Sequence, residues 1–177
     1  MVAGKMASGK THVSDFLINK YAFKRISLAG PVKDIEIAVE QLGFENADLS
    51  ERVWNILGQG KVINNEQFWN LMKTLKEDLP KIPLDDAKAR KRLQWIGTDL
   101  GRKQIDPDIW IKIALNKVRS EPDTRWVCDD IRFPNEYEEF SKVGFVGIKL
   151  IVSPETQHER LRILYDMRES EISERLQ

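Results

Sequence analysis

Hydrophobic positions along this chain alternate between a helical and an extended period. Val13, Phe16, Leu17 and Tyr21 recur at helical spacing with Asp15, Asn19 and Lys20 opposite, so an amphipathic helix burying those four apolar residues is predicted. Near-continuous apolar, β-branched runs follow at 25–29, 125–128 and 145–152, the pattern of strands covered on both faces of a parallel sheet. Gly30-Pro31 ends the first run and opens a helix carrying Val32, Ile35, Val39 and Leu42 as far as Gly43. Pro134 opens a short helix that Val143-Gly144 ends. The alternation of strand and helix predicts an α/β fold with a parallel sheet.

Between 45 and 105 the strands drop out. Helical periodicity over 49–57, 66–79 and 85–101, broken by Lys81-Ile82-Pro83, reads as a helical insertion between two strands. Asp106-Pro107 separates it from a helix over 109–118, and the tail from Pro154 reads as one or two charged helices anchored by Leu161 and Leu164. At 177 residues the chain is expected to be one domain, 1–177, able to bury roughly 70% of its unfolded surface.

The helix at Val13 is preceded by Gly4-Lys5-Met6-Ala7-Ser8-Gly9-Lys10-Thr11, a full match to G-x-x-x-x-G-K-[ST]. Chance produces such a match in roughly one chain of this length in a few hundred. Physically this is a phosphate cradle. The glycines let the backbone curl so that N–H groups point inward at phosphate oxygens, Lys10 reaches the β/γ-phosphates, the Thr11 hydroxyl holds Mg²⁺, and the helix dipole adds positive potential. Only Met1, Val2 and Ala3 precede the loop, a short strand against the usual five or six residues.

Charge changes the picture by narrowing the ligand. The 28 basic and 28 acidic residues cancel, unlike the basic field of a nucleic-acid binder, so a small ligand is expected and no nucleic acid polymer. A lone cysteine, Cys128, excludes an internal disulfide, and His12 and His158 lack a metal-ligand pattern. With no signal segment or long apolar run, a cytoplasmic protein without a membrane partner is expected.

Three further groups bear on chemistry. Asp129-Asp130-Ile131-Arg132 follows the 125–128 run, where ligands of open α/β sheets bind; a carboxylate there can orient Mg²⁺ water and Arg132 can fork onto a phosphate. The ordinary alternative is a turn-capping Asp pair with a solvated arginine. Lys33 falls in the first turn of a helix, where it opposes the dipole unless an anion is bound, or else it is a solvated surface lysine. Trp95 and Arg102 are seven positions apart, two turns along one α-helical face, so a base could stack on Trp95 while Arg102 grips a phosphate; Trp95 could equally belong to the core. In the tail, Arg160, Arg162 and Arg168 flank an apolar stripe, either as a flap closing on transferring phosphates or as a solvated face.

With these residues in view, the chain resembles the deoxynucleoside monophosphate kinases of bacteriophages, within the P-loop nucleotide kinases. Residues 127–136, Val-Cys-Asp-Asp-Ile-Arg-Phe-Pro-Asn-Glu, are similar to that family's D-[DV]-R-F-x-N-E block. Residues 27–33 and 95–106 are similar to its S-[FL]-A-x-P-[LV]-K and Q-x-x-G-T-x-x-x-R segments, and Glu169-Ser170-Glu171 to its [HE]-x-S-E. Animal phosphomevalonate kinases carry weaker versions without the full Arg-Phe-Pro-Asn-Glu run.

The resemblance implies a three-layer α/β/α P-loop kinase with a helical substrate-binding insertion at about 45–105 and a lid at about 154–172. It implies ATP and Mg²⁺ as cofactors, with a small phosphorylated acceptor as partner, in a bacterial cell or phage-infected host, as a monomer or homodimer. Gly4, Lys5, Met6, Ala7, Ser8, Gly9, Lys10 and Thr11 would hold ATP, and Thr11 with Asp129 or Asp130 the metal. Lys33, Trp95, Arg102 and Arg132 would meet the acceptor, and Arg160 and Arg168 would serve the lid. Other readings are a small-molecule kinase such as phosphomevalonate kinase, or an inactive nucleotide-binding module. No Asn-Lys-x-Asp segment supports a switch GTPase. Family members often place an aspartate after the loop lysine, where this chain has Thr11, and they carry a longer first strand and a further last one. Both strands are therefore expected to be cut short here, the sequence being a fragment or starting at an internal methionine.

Overall fold

The strands are much shorter than the apolar runs that predict them. In a computed structural model describing residues 1–84, 89–165, 168, 171 and 172, the strands are β1 (Val2–Ala3), β2 (Lys24–Arg25), β3 (Trp126–Val127) and β4 (Ile148–Lys149). β1 pairs with β4 and β2 with β3, both parallel. These are two separate two-stranded sheets, and the Val2 N–H donates to the Cys128 carbonyl at 2.7 Å, just past the end of β3. The described residues are mostly helical with short parallel pairing, consistent with an α/β arrangement.

Two compact units emerge, Met1–Arg25 with Arg125–Gln177, and Ile26–Thr124. The first contains all four strands, α1 (Lys10–Tyr21), α7 (Pro134–Lys142) and α8 (Pro154–Tyr165). The β1–β4 ladder shows why the strands are short. Ile148 N–H donates to Met1 C=O and Leu150 N–H to Ala3 C=O, each at 2.8 Å, and the terminal ammonium of Met1 donates to Val146 C=O at 2.6 Å. The pairing with β4 ends where the chain turns away at Gly4. The prediction of a strand over 145–152 covered on both faces is therefore corrected: Val146 is 77% exposed and Ile151 82%. Central residues instead form the core, including Val2, Val127, Cys128, Ile131, Phe140 and Leu161.

Helix α1 also differs from its predicted face. Ser14 is its buried residue, Val13 and Leu17 are half-buried, and Phe16 and Tyr21 are exposed with their rings edge to face 5.7 Å apart.

The second unit is helical: α2 (Gly30–Leu42), α3 (Asp48–Ile56), α4 (Asn65–Asp78), α5 (Arg90–Gln94), a π-helix (Trp95–Ile105) and α6 (Ile109–Ser120). Val32, Ile35 and Val39 of α2 are buried as their spacing predicts, and Pro31 stands in its first turn. Helix α4 starts with a capping box: Gln67 N–H donates to Asn64 Oδ1 at 2.9 Å, and Asn64 N–H to Gln67 Oε1 at 3.0 Å. The predicted helix over 85–101 begins outside the described residues and continues past Gly101 to Ile105, its second half wound as a π-helix.

Candidate functional site

Gly4 leaves β1 at φ +156°, and a Cβ there would stand 2.5 Å from Ser8 Oγ and 2.8 Å from the Leu150 carbonyl. Only glycine lets this strand end and Ser8 approach so closely. Ala7 and Gly9 take left-handed conformations, φ 61° and 95°, which curl the loop into α1. Val13 N–H is bonded to Gly9 C=O at 3.1 Å, so the N–H groups of Lys10, Thr11 and His12 lie ahead of that first helical bond, at the positive end of the dipole. Lys10 folds back over its own loop, its Nζ donating to the Gly4 carbonyl at 2.7 Å and the Lys5 carbonyl at 2.9 Å. Buried Ser8 keeps its Oγ without a hydrogen-bond partner. A curled backbone, a helix N-terminus, a folded-back lysine and an unsatisfied hydroxyl fit a phosphate group.

The end of β3 brings charge to the same lysine. Burial, then the charge of Arg132, push the Lys10 pKa below the ordinary lysine value, while Asp129 pulls it the other way. Arg132 and Asp129 therefore share the electrostatic field of Lys10. Asp129 is also paired with Arg25 at 3.2 Å, and the same Arg25 nitrogen bonds Asp15 of α1 at 2.8 Å. Asp130 accepts from the Cys128 thiol at 3.2 Å; burial first and the Asp130 charge second raise that thiol's pKa, keeping it neutral. Glu136, almost fully buried in α7, accepts from the N–H groups of Arg132 at 2.6 Å and Phe133 at 3.0 Å through one oxygen, so the run from Arg132 to Glu136 is a braced turn that fixes the arginine backbone. Arg132 itself is exposed.

Helix α8 reaches the loop directly. Gln157, 4% exposed, donates from Nε2 to Met6 C=O at 2.8 Å, and Arg160 Nη1 donates to Ala7 C=O at 3.2 Å. A cleft of about 710 Å³ lies here, lined by the loop, the start of α1 with Thr11, the segment 150–152, Arg160 and Leu164, a volume in the range of small-ligand pockets. Arg162 is exposed. Arg168 bonds Glu171 through its N–H at 2.9 Å and Nε at 3.4 Å, while Glu169 and Ser170 of the expected lid motif lie outside the described residues.

Lys33, Trp95 and Arg102 belong to the helical unit. Lys33 is exposed in the first turn of α2, and Trp95 and Arg102 are half-buried. The expectation that these last two share one face after two α-helical turns is corrected. In a π-helix each residue advances less around the axis, so seven positions no longer complete two turns. The glycines of this segment have a packing cause. Trp110, 2% exposed, lies against the π-helix, its indole N–H donating to Gly97 C=O at 2.7 Å, and a Cβ on Gly101 would stand 2.4 Å from its ring.

No protein-family model matches the chain. Over 98 residues, 54% of its length, it is 35% identical to a deoxynucleoside-5′-monophosphate kinase of Escherichia phage T5. The matched stretch spans 36% of that protein. A kinase is thus among its relatives. The site residues fit such chemistry: the loop, Lys10 and Arg132 offer donors and positive charge, while Thr11, Asp129 and Asp130 offer oxygens for a divalent ion. A Mg²⁺ carried by a nucleotide needs only one or two protein oxygens.

Two residues that touch this machinery escaped sequence reasoning. Arg25 lies in an apolar run that predicts a strand; no local pattern marks its pairing with Asp15, ten positions earlier, and only the β2–β3 register brings it to Asp129. Gln157 stands 151 positions from Met6 in a helix read by its arginines, and no local pattern marks it.

Proposed function

We propose that this chain is an ATP-dependent kinase that phosphorylates deoxynucleoside 5′-monophosphates to diphosphates. The observation that carries this reading is the Gly4 to Thr11 loop closed by Lys10, with Asp129 and Arg132 in the field of the same ammonium. The likeness to a phage deoxynucleoside-5′-monophosphate kinase supports the choice of acceptor.

Phosphoryl transfer asks little covalent work of the protein; positioning and charge neutralisation dominate. In the proposed mechanism the loop N–H groups and Lys10 hold the β- and γ-phosphates. Thr11 and Asp129 or Asp130 would hold Mg²⁺, which would supply neutralisation of charge on the phosphate oxygens. Arg132 and Arg160 stabilise the charge that spreads over the transferring group. Arg25 keeps Asp129 oriented, and Glu136 fixes the turn that presents Arg132. Lys33, Trp95 and Arg102 are assigned to the acceptor within the helical unit, Arg168 to a lid at about 154–172, and the whole chain to one cytoplasmic P-loop kinase domain.

A coupled ADP-release assay with ATP, Mg²⁺ and each of dAMP, dCMP, dGMP and dTMP tests this reading, with mevalonate 5-phosphate as a further acceptor. Turnover of at least one nucleotide is expected. Turnover of mevalonate 5-phosphate alone would assign the chain to the other kinase, and ATP binding without any turnover would make it an inactive nucleotide-binding module.

A further inference from the structure

Among the described residues, the helical unit contains a buried carboxyl group that no part of the foregoing mechanism uses. Glu36 lies in the middle of α2 and is 5% exposed. Its Oε1 has a long contact to Arg92 Nη1, 3.4 Å, and its Oε2 has no hydrogen-bond partner. A carboxylate taken out of water with one oxygen unpaired is a costly arrangement, and a buried polar atom of this kind calls for a specific cause. Burial holds the Glu36 carboxyl above the usual carboxylate range, opposed by Arg92.

Its surroundings suggest what that cause is. Val32, one turn earlier on α2, packs where Gly97 has no side chain, 3.6 Å from the Cβ position, so α2 lies directly against the π-helix. Glu36, one turn on, meets Arg92 of α5. Arg92 is itself fixed, its Nε donating to Ile82 C=O at 2.9 Å. Between the two crossing points, in sequence, stands half-buried Trp95, the one aromatic at the start of the π-helix. An acceptor, an anchored cation and an aromatic surface are the elements needed to hold a flat heterocycle and read its polar edge.

We propose that Glu36 is the specificity-determining acceptor for an exocyclic amino group on the base of the bound monophosphate. Arg92 is its positioning residue. This rests on the kinase reading above and adds a base preference: bases with an amino group, as in dAMP, dCMP and dGMP, are favoured over thymine, which has none. No carbon side chain can replace the lone oxygen pair, and a carboxylate rejects a carbonyl edge by repulsion.

The test measures kcat/KM for the four monophosphates with wild type, Glu36→Gln and Glu36→Leu, together with KM for ATP and a melting temperature for each variant. Wild type is expected to favour at least one amino-bearing base over dTMP by tenfold or more. Glu36→Leu is expected to lose tenfold or more on that base with little change for dTMP and for the KM of ATP, and Glu36→Gln to fall between. Equal or better use of dTMP by wild type, or variants that change stability while leaving the base ratio intact, would overturn the proposal and leave the kinase reading standing. No turnover of any nucleotide would remove both.

Discussion

The two units of this chain use glycine in opposite ways. In the strand-bearing unit, Gly4 and Gly9 curl the backbone so that the first N–H groups of α1 and one folded-back lysine gather at a single loop, the proposed phosphate site. In the helical unit, Gly97 and Gly101 shape a backbone surface for Trp110, and the result is packing. Both sets sit in segments whose sequence resembles a kinase motif, yet only around the first does the local geometry fit a phosphate group. A motif glycine therefore has to be asked what approaches it before it is credited with function.

The sharpest way to break this comparison is to remove the lysine. Lys10→Ala is expected to lower kcat about 10²-fold or more, the scale of losing one preorganised transition-state stabiliser, with secondary structure retained by circular dichroism. An unchanged kcat would demote the loop to a turn. Next comes adding a methyl group in each unit. Gly4→Ala and Gly101→Ala both drive a Cβ into occupied space, at 2.5 Å from Ser8 Oγ and 2.4 Å from the Trp110 ring. Each is expected to cost about 1–3 kcal/mol of stability by overpacking, read from urea denaturation. The contrast lies in function: Gly4→Ala should also abolish ATP binding in calorimetry, whereas Gly101→Ala should leave ATP affinity within a factor of two or so. Equal loss of ATP affinity in both would erase the distinction.

The same contrast explains what was legible in the sequence. The shape of the loop was legible because its residues are contiguous and its curl is a property of local backbone conformation. The helices α2, α4, α6 and α7 were readable because caps, prolines and spacing are local too. Strand length was not. The run 145–152 has the composition of a buried strand, but its pairing depends on how much of β1 lies beside it, a relation between distant segments. The face of α1 was misread because the buried side is set by what packs on it, and small Ser14 rather than Phe16 fits there. The π winding at Trp95–Ile105, which takes Trp95 and Arg102 off a shared two-turn face, accompanies the packing of Trp110 on Gly97 and Gly101, and no periodicity within the segment announces it.

A smaller effect is expected from the latch between α8 and the loop. Gln157→Leu preserves bulk and removes the N–H that holds Met6 C=O, a contribution of about 1 kcal/mol for a neutral hydrogen bond. That corresponds to roughly a fivefold weaker ATP affinity if the latch preorganises the loop, with kcat nearly unchanged once ATP saturates. A fall in kcat at saturating ATP would place Gln157 in the transfer step itself.

The smallest expected effect compares half-buried Lys10 with buried Glu36. Burial lowers the Lys10 pKa from 10.5 and raises that of Glu36 from 4.5, with Glu40 adding to the latter and Arg92 opposing it. The signs are opposite. The folded chain gives up the Lys10 proton more readily than the unfolded chain, so this residue opposes folding while charged, and stability rises as pH climbs through its folded pKa toward 10.5. The folded chain keeps the Glu36 proton more tightly, so that stabilisation is complete below pH 4.5 and is lost as pH rises through the folded pKa. Melting temperatures measured across pH should therefore rise on the alkaline side and fall on leaving the acid side, by a few degrees at most. Lys10→Met is expected to flatten the first slope and Glu36→Gln the second. Ligands should separate them further: ATP phosphates, by stabilising the ammonium, should abolish the alkaline rise and leave the acid slope untouched. An amino-bearing monophosphate should do the reverse, because an amino donor to Glu36 stabilises its charged form. A common response of both slopes to one ligand would mean that the two charges serve a single site.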